Sequence, residues 1–149
     1  MLQARHIMTT QVITISPQAS VSDLANLLKT ERISGVPVLD DAGKLVGVAT
    51  QSDLIDRAKK FELPHVISVL DAHIFLETPG HFKKKLEKLL ASSVIDIMST
   101  ETVTISPDLP MDEIASLMAQ KKVHTLPVME DNKLVGIIGK IDIVRALAS

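Results

Sequence analysis

Cysteine is absent from the 149 residues. That excludes disulfides, thiol catalysis and thiolate metal sites, and it suits a reducing compartment. Tryptophan and tyrosine are absent as well, leaving Phe61, Phe75 and Phe82 as the only aromatic residues of the Phe/Tyr/Trp class. Single-stranded nucleic acids are bound largely by stacking bases on rings, so that mode is not expected. The formal net charge of −2 supplies no global basic field to attract nucleic acid or an anionic membrane. No apolar run is long enough to span a bilayer, and the start MLQARHIMTT lacks the apolar stretch of a signal peptide. Glycine-rich phosphate loops are missing, and no serine sits at a nucleophile elbow. These absences predict a soluble, cytoplasmic, non-enzymatic protein with no catalytic residues and with neither membrane nor nucleic acid as partner.

What is present is repetition. Ile7-Met8 answers Ile97-Met98, Thr14-Ile15-Ser16-Pro17 answers Thr104-Ile105-Ser106-Pro107, and Pro37-Val38 answers Pro127-Val128, all at an offset of 90. One residue is then lost in a turn. Lys44-Leu45-Val46-Gly47 answers Lys133-Leu134-Val135-Gly136, and Asp53 answers Asp142, at an offset of 89. Chance does not hold such a register, so the chain contains an internal duplication.

Each copy has the same grammar. Val12 to Ile15 alternate and are β-branched, which predicts a short strand closed by Ser16-Pro17. Val21, Leu24, Ala25, Leu27 and Leu28 form a helical stripe, as do Met111, Ile114, Ala115, Leu117 and Met118. Gly35 to Leu39 reads as a second strand, whose Pro37 predicts an edge position or the strand's first residues. Asp40-Asp41-Ala42-Gly43 is turn chemistry, Lys44 to Ala49 is a third strand, and a second helix begins near Gln51. The expected fold class is α/β (α+β): two β-α-β-β-α units, at 1–60 and 96–149, packed with pseudo-two-fold symmetry. A mostly helical insert at 61–95 separates them. In it Val66 to Leu76 is apolar and ambiguous, Pro79-Gly80 is a break, and Phe82, Leu86, Leu89 and Leu90 predict an amphipathic helix with Lys83, Lys84, Lys85 and Lys88 outside. His65, His73 and His81 recur every eight residues, but no acidic or cysteine ligand set accompanies them, so no metal site is expected.

The stretch Thr50-Gln51-Ser52-Asp53 carries two readings. A hydroxyl followed three residues later by an acid is a capping-box pattern. The same placement puts a carboxylate at a helix start, where free N–H groups gather and where an ionised Asp can accept from both vicinal hydroxyls of a ribose. The residues alone leave both open. The second copy keeps Asp142 but places Gly139 where Thr50 stands, so a hydroxyl is lost and that copy is the weaker candidate.

Taken in order, Asp96-Ile97-Met98 with Val103-Thr104-Ile105-Ser106-Pro107, then His124-Thr125-Leu126-Pro127-Val128, then Leu45-Val46-Gly47-Val48-Ala49-Thr50-Gln51-Ser52-Asp53, the chain resembles a tandem pair of cystathionine-β-synthase (CBS) domains, or Bateman module. The resemblance spans everything except 61–95. It implies a regulatory sensor of adenosine-containing ligands such as AMP, ADP, ATP, S-adenosylmethionine or cyclic di-AMP. No cofactor is required, and binding changes the activity of a protein partner. It also implies ligand contacts in clefts between the repeats. One set would be Asp53 holding the ribose, with Thr50, Val48, Thr102, Val103, His124 and Thr125. The other would be Asp142 and Ile137, with Thr10, Val12, Ser34 and Gly35. Few fixed cations are nearby, which favours a monophosphate or a thioether-type tail over a triphosphate. Apolar helix residues Leu54/Ile55 and Ile143/Val144/Leu147 predict a homodimer, and a ligand-free dimerisation and interaction module is the alternative reading.

Overall fold

The computed structural model describes residues 1–60 and 80–148. The expectations for Val66 to Leu76, Pro79, His65 and His73, and for the side chains of His81 and Phe82, lie outside the described residues.

The first repeat runs α1 (Ala4–Ile7), α2 (Val21–Glu31), β1 (Gly35–Leu39), β2 (Leu45–Thr50) and α3 (Gln51–Lys60). After α4 (Gly80–Ala91), the second runs α5 (Val94–Ile97), α6 (Met111–Lys121), β3 (Thr125–Glu130), β4 (Lys133–Gly139) and α7 (Lys140–Ala148). Local chemistry explains the boundaries. Ser20 Oγ accepts from the Asp23 N–H at 3.0 Å and Asp23 returns the bond to the Ser20 N–H, a reciprocal cap on α2. Arg32 and Lys122 end α2 and α6 in the left-handed region, each at φ 54°, with their N–H groups on Leu28 and Met118 carbonyls.

Each repeat has one antiparallel hairpin, β1–β2 and β3–β4. The lost residue in the duplication is explained by their turns. In the first, Asp40 Oδ1 accepts from the N–H groups of Ala42 and Lys44, and Gly43 takes φ 80°. In the second, Asp131 and Asn132 take φ 51° and 62°, the geometry of a two-residue type I′ turn.

The expected strand Val12–Ile15 shrinks to one residue. Only Ile15 bridges β1, in parallel with Val38, and only Ile105 does so in the second repeat. A β-branched run becomes a strand only where a neighbour supplies ladder bonds, and here just one residue has them. Pro37 is the third residue of β1, with Ile15 alongside. It sits opposite Val48, which sends its N–H away from β1 to the Ser99 carbonyl at 3.0 Å, while the Pro37 carbonyl accepts from Ile15 at 3.1 Å. This pair exchanges no bonds across the hairpin, so the missing donor costs nothing there.

Two cores form. Val21, Leu24, Leu28, Val36, Val38, Ala49, Leu54 and Ala58 pack with Leu89 of α4, Val94 of α5, and the partly buried Ile97 and Met98. Ile105, Ile114, Met118, Leu126, Val128 and Ile138 pack with Ala4, Ile7 and Met8. The short helices are therefore exchanged: α1 serves the second repeat and α5 serves the first. Their leading N–H groups follow suit. Val94 and Ile95 donate to Ala19 and Pro17, while Ala4 and Arg5 donate to Leu109 and Pro107. Leu86 and Leu89 face the first core from α4, and Lys83, Lys84 and Lys88 are exposed, as the amphipathic pattern predicts, whereas Lys85, expected outside, is half-buried.

The apolar surface differs from expectation. Leu54 and Ile143 are core residues, and Ala115 is exposed rather than part of its stripe. Among the described residues, the exposed large apolar ones are Met1, Leu2, Ile55, Ile95, Ile141, Val144 and Leu147. Among the described residues no helix is long and apolar enough to cross a membrane, and no cluster of His, Asp or Glu could hold a metal ion.

Candidate functional site at the inter-repeat carboxylates

β2 delivers Thr50 to the start of α3. The Thr50 Oγ1 accepts from the Asp53 N–H at 3.2 Å. Asp53 Oδ2 accepts from the Thr50 N–H at 2.9 Å and from the Thr50 hydroxyl at 3.0 Å. The capping box is thus formed in full, and it fixes one carboxylate oxygen. Such a cap contributes about 1 kcal/mol. The other oxygen, Oδ1, accepts from the Ser99 hydroxyl at 3.3 Å, and Asp53 stays partly exposed.

Ser99 arrives there because the segment after α5 pairs with β2. Ser99 and Val48 exchange both backbone bonds, at 3.0 and 2.9 Å. Gly47 makes this approach possible: a Cβ added there would lie 2.8 Å from the Ser99 carbonyl and 2.9 Å from Met98 Sδ. Thr9 and Ile137 repeat the arrangement in the other half.

At the end of β4 the geometry changes. Asp142 Oδ2 accepts from the Gly139 N–H at 2.7 Å, while Oδ1 accepts from the Thr9 hydroxyl at 3.1 Å and from Arg145 Nη1 at 3.2 Å. Asp142 is only 5% exposed.

The other expected residues are distributed unevenly. Ser34, Gly35, Thr50 and Thr125 meet where the two hairpins approach. Ser34 Oγ lies 3.5 Å from Thr125 Oγ1, and a Cβ on Gly35 would come within 2.7 Å of Thr125 Oγ1 and 2.8 Å of Thr50 Cγ2. Ser34 and Gly35, expected with Asp142, therefore border Thr50 and Thr125. Val48 is buried, Ile137 and Thr102 are partly buried, and Val103 packs on the second core. Val12 is partly buried, while Thr10 is exposed beside Thr9. His124 is exposed, with its carbonyl close to Gly139. Sequence reading missed Ser99, Thr9 and Arg145. The signal for the first two was a hydroxyl following Ile-Met in both copies; for Arg145 it was a cation three residues after the acid.

Residues 4–60 and 94–149 match the family model described as the CBS domain. The CBS domain-containing protein YhcV of Bacillus subtilis is 29% identical over 143 residues, covering 96% of this chain and 84% of that protein. CBSX2, a chloroplastic CBS domain-containing protein of Arabidopsis thaliana, is 30% identical over 139 residues, covering 89% of this chain and 57% of that protein. A crystal structure of CBSX2 in complex with AMP matches with a TM-score of 0.73 and 25% identity, covering 99% of this chain and 97% of that one. With the duplication, the paired hairpins and the family model in agreement over both halves, the chain belongs to the CBS-domain family, as a tandem CBS pair.

Proposed function

We propose that this CBS pair is a regulatory sensor of an adenosyl ligand, of which AMP is the representative, and that binding alters the packing of the two repeats. The carrying observation is the division of labour within Asp53. Thr50 holds Oδ2 from two sides, which aims the carboxylate, while Oδ1 faces the second repeat with a single hydroxyl partner at 3.3 Å. Vicinal ribose hydroxyls are suited to that oxygen, with charge-assisted bonds of roughly 1.5–3 kcal/mol each. Val48, Thr50, Gly35 and Thr125 border the same approach, and Thr102, Val103 and His124 are the residues we assign to the base and tail. The AMP complex of CBSX2 supports the ligand class. Scarce fixed cations favour a monophosphate over ATP. Because Ser99 lies on the exchanged segment that leads from the first core into the second repeat, displacing its hydroxyl changes a contact on the link between the repeats, which is how binding can favour one packing over another.

Thermal unfolding with AMP, ADP, ATP and S-adenosylmethionine tests this. A ligand at 100 times its Kd adds about 2.7 kcal/mol. Asp53→Ala should abolish the response while costing only about 1 kcal/mol, the worth of the cap. No stabilisation by any of the four at millimolar concentration overturns the proposal.

A second reading, a dimerising interaction module, is favoured by one observation. Ile141, Val144 and Leu147 recur along α7 and are 61%, 56% and 69% exposed. The two readings are compatible, since a ligand that shifts the repeats also shifts what they carry.

A further inference from the structure

The duplication gives every group around Asp53 a counterpart around Asp142, and the counterparts differ in a consistent direction. Gly139 replaces Thr50, Thr9 replaces Ser99, and Arg145 stands where the first repeat has Asp56. Space does not demand the glycine. A Cβ there would have ordinary contacts, 3.7 Å from the His124 carbonyl and 3.8 Å from Asp142 Oδ2. Asp142 keeps the counterparts of two Asp53 donors, a backbone N–H (Gly139, 2.7 Å) and a hydroxyl from the exchanged segment (Thr9, 3.1 Å); what the second repeat has gained is burial of the acid and a cation, the Arg145 guanidinium at 3.2 Å, in place of the Thr50 hydroxyl. The 5% exposure of Asp142 means that a ribose could reach it only by displacing Thr9 and Arg145. That would strip a buried carboxylate of charge-assisted bonds already made. Asp53 has no cation over it from the equivalent helix position, which Asp56 occupies, and it is partly exposed.

We infer that Asp142 is an inter-repeat clasp rather than a ligand carboxylate, so that the chain takes one adenosyl ligand, on the Asp53 side. Asp142 ties β4, α7 and the segment after α1 of the other repeat into one unit. Through Thr9 it pins the exchanged N-terminal segment onto the second core, where Ala4, Ile7 and Met8 already pack. The one-site half of this inference rests on the ligand reading above; the clasp half does not.

Calorimetric titration with AMP, together with thermal unfolding in its absence, tests both halves on the unmodified chain and on Asp53→Ala, Asp142→Ala and Thr9→Val. The expected result is one AMP per chain, lost in Asp53→Ala and kept in Asp142→Ala and Thr9→Val. Without AMP, Asp142→Ala should lower Tm by about 5 °C or more, and by more than Asp53→Ala does. Should Asp142→Ala fail to fold, Thr9→Val, which removes one hydroxyl, carries the comparison. Two AMP molecules per chain, or loss of AMP from a folded Asp142→Ala or Thr9→Val protein, overturns the clasp and leaves the ligand reading standing. No AMP bound by the unmodified chain overturns the one-site half, and the ligand reading falls with it if ADP, ATP and S-adenosylmethionine fail as well. In that case a Tm loss in Asp142→Ala no larger than in Asp53→Ala overturns the clasp as well.

Discussion

Gly47 and Gly136 occupy the same place in the duplication, yet they face different obstacles. A side chain at Gly47 meets the Ser99 backbone carbonyl, which is pinned by two ladder bonds; at Gly136 the nearest atoms all belong to the Met8 side chain. A methionine can turn aside, whereas a paired carbonyl cannot without opening the ladder. Gly47→Ala should therefore destabilise by about 1–3 kcal/mol, and Gly136→Ala by clearly less, as read from urea unfolding. Equal losses would mean that the two approaches are equally tight. The glycines were visible in the sequence as repeated letters, but their reason was not, because the atoms that exclude a side chain come from the opposite repeat. The Thr50–Asp53 box was fully legible for the contrary reason: all of its bonds fall within three residues. Ser99, 46 residues from Asp53, and Thr9, 133 residues from Asp142, were not.

Among the elements, the long helices α2 and α6 and the hairpins followed from periodicity and turn chemistry. The four-residue helices α1 and α5 are too short to show a period, and nothing local states which core they enter. The opposite error arose at Val12–Ile15, where propensity was present but a ladder partner was not. The exchange of α1 and α5 makes the halves separable by experiment. Removing residues 1–9 takes Ala4, Ile7 and Met8 from the second core and the Thr9 carbonyl from the Ile137 N–H. Stability should fall on the order of 3–5 kcal/mol. Amide exchange should accelerate at Ile137 first, while the Val48 N–H, bonded to Ser99, keeps its protection longer. Simultaneous loss at both amides would show that the two cores open as one.

Among the described residues, the two repeats match in backbone and differ in chemistry. Their outer surface shows the same inequality. α3 exposes a single large apolar residue, Ile55, whereas α7 exposes Ile141, Val144 and Leu147. If α7 carries the interaction surface, replacing Val144 and Leu147 together by Glu should convert any dimer to monomer by light scattering while leaving Tm nearly unchanged. A dimer that persists would move the interface elsewhere. The exchanged short helices also bear on how the protein is made. Val94, Ile97 and Met98 are the last residues of the first core to be synthesised, yet they complete its interior. During translation the opening domain therefore stays unfinished until the start of the second has emerged.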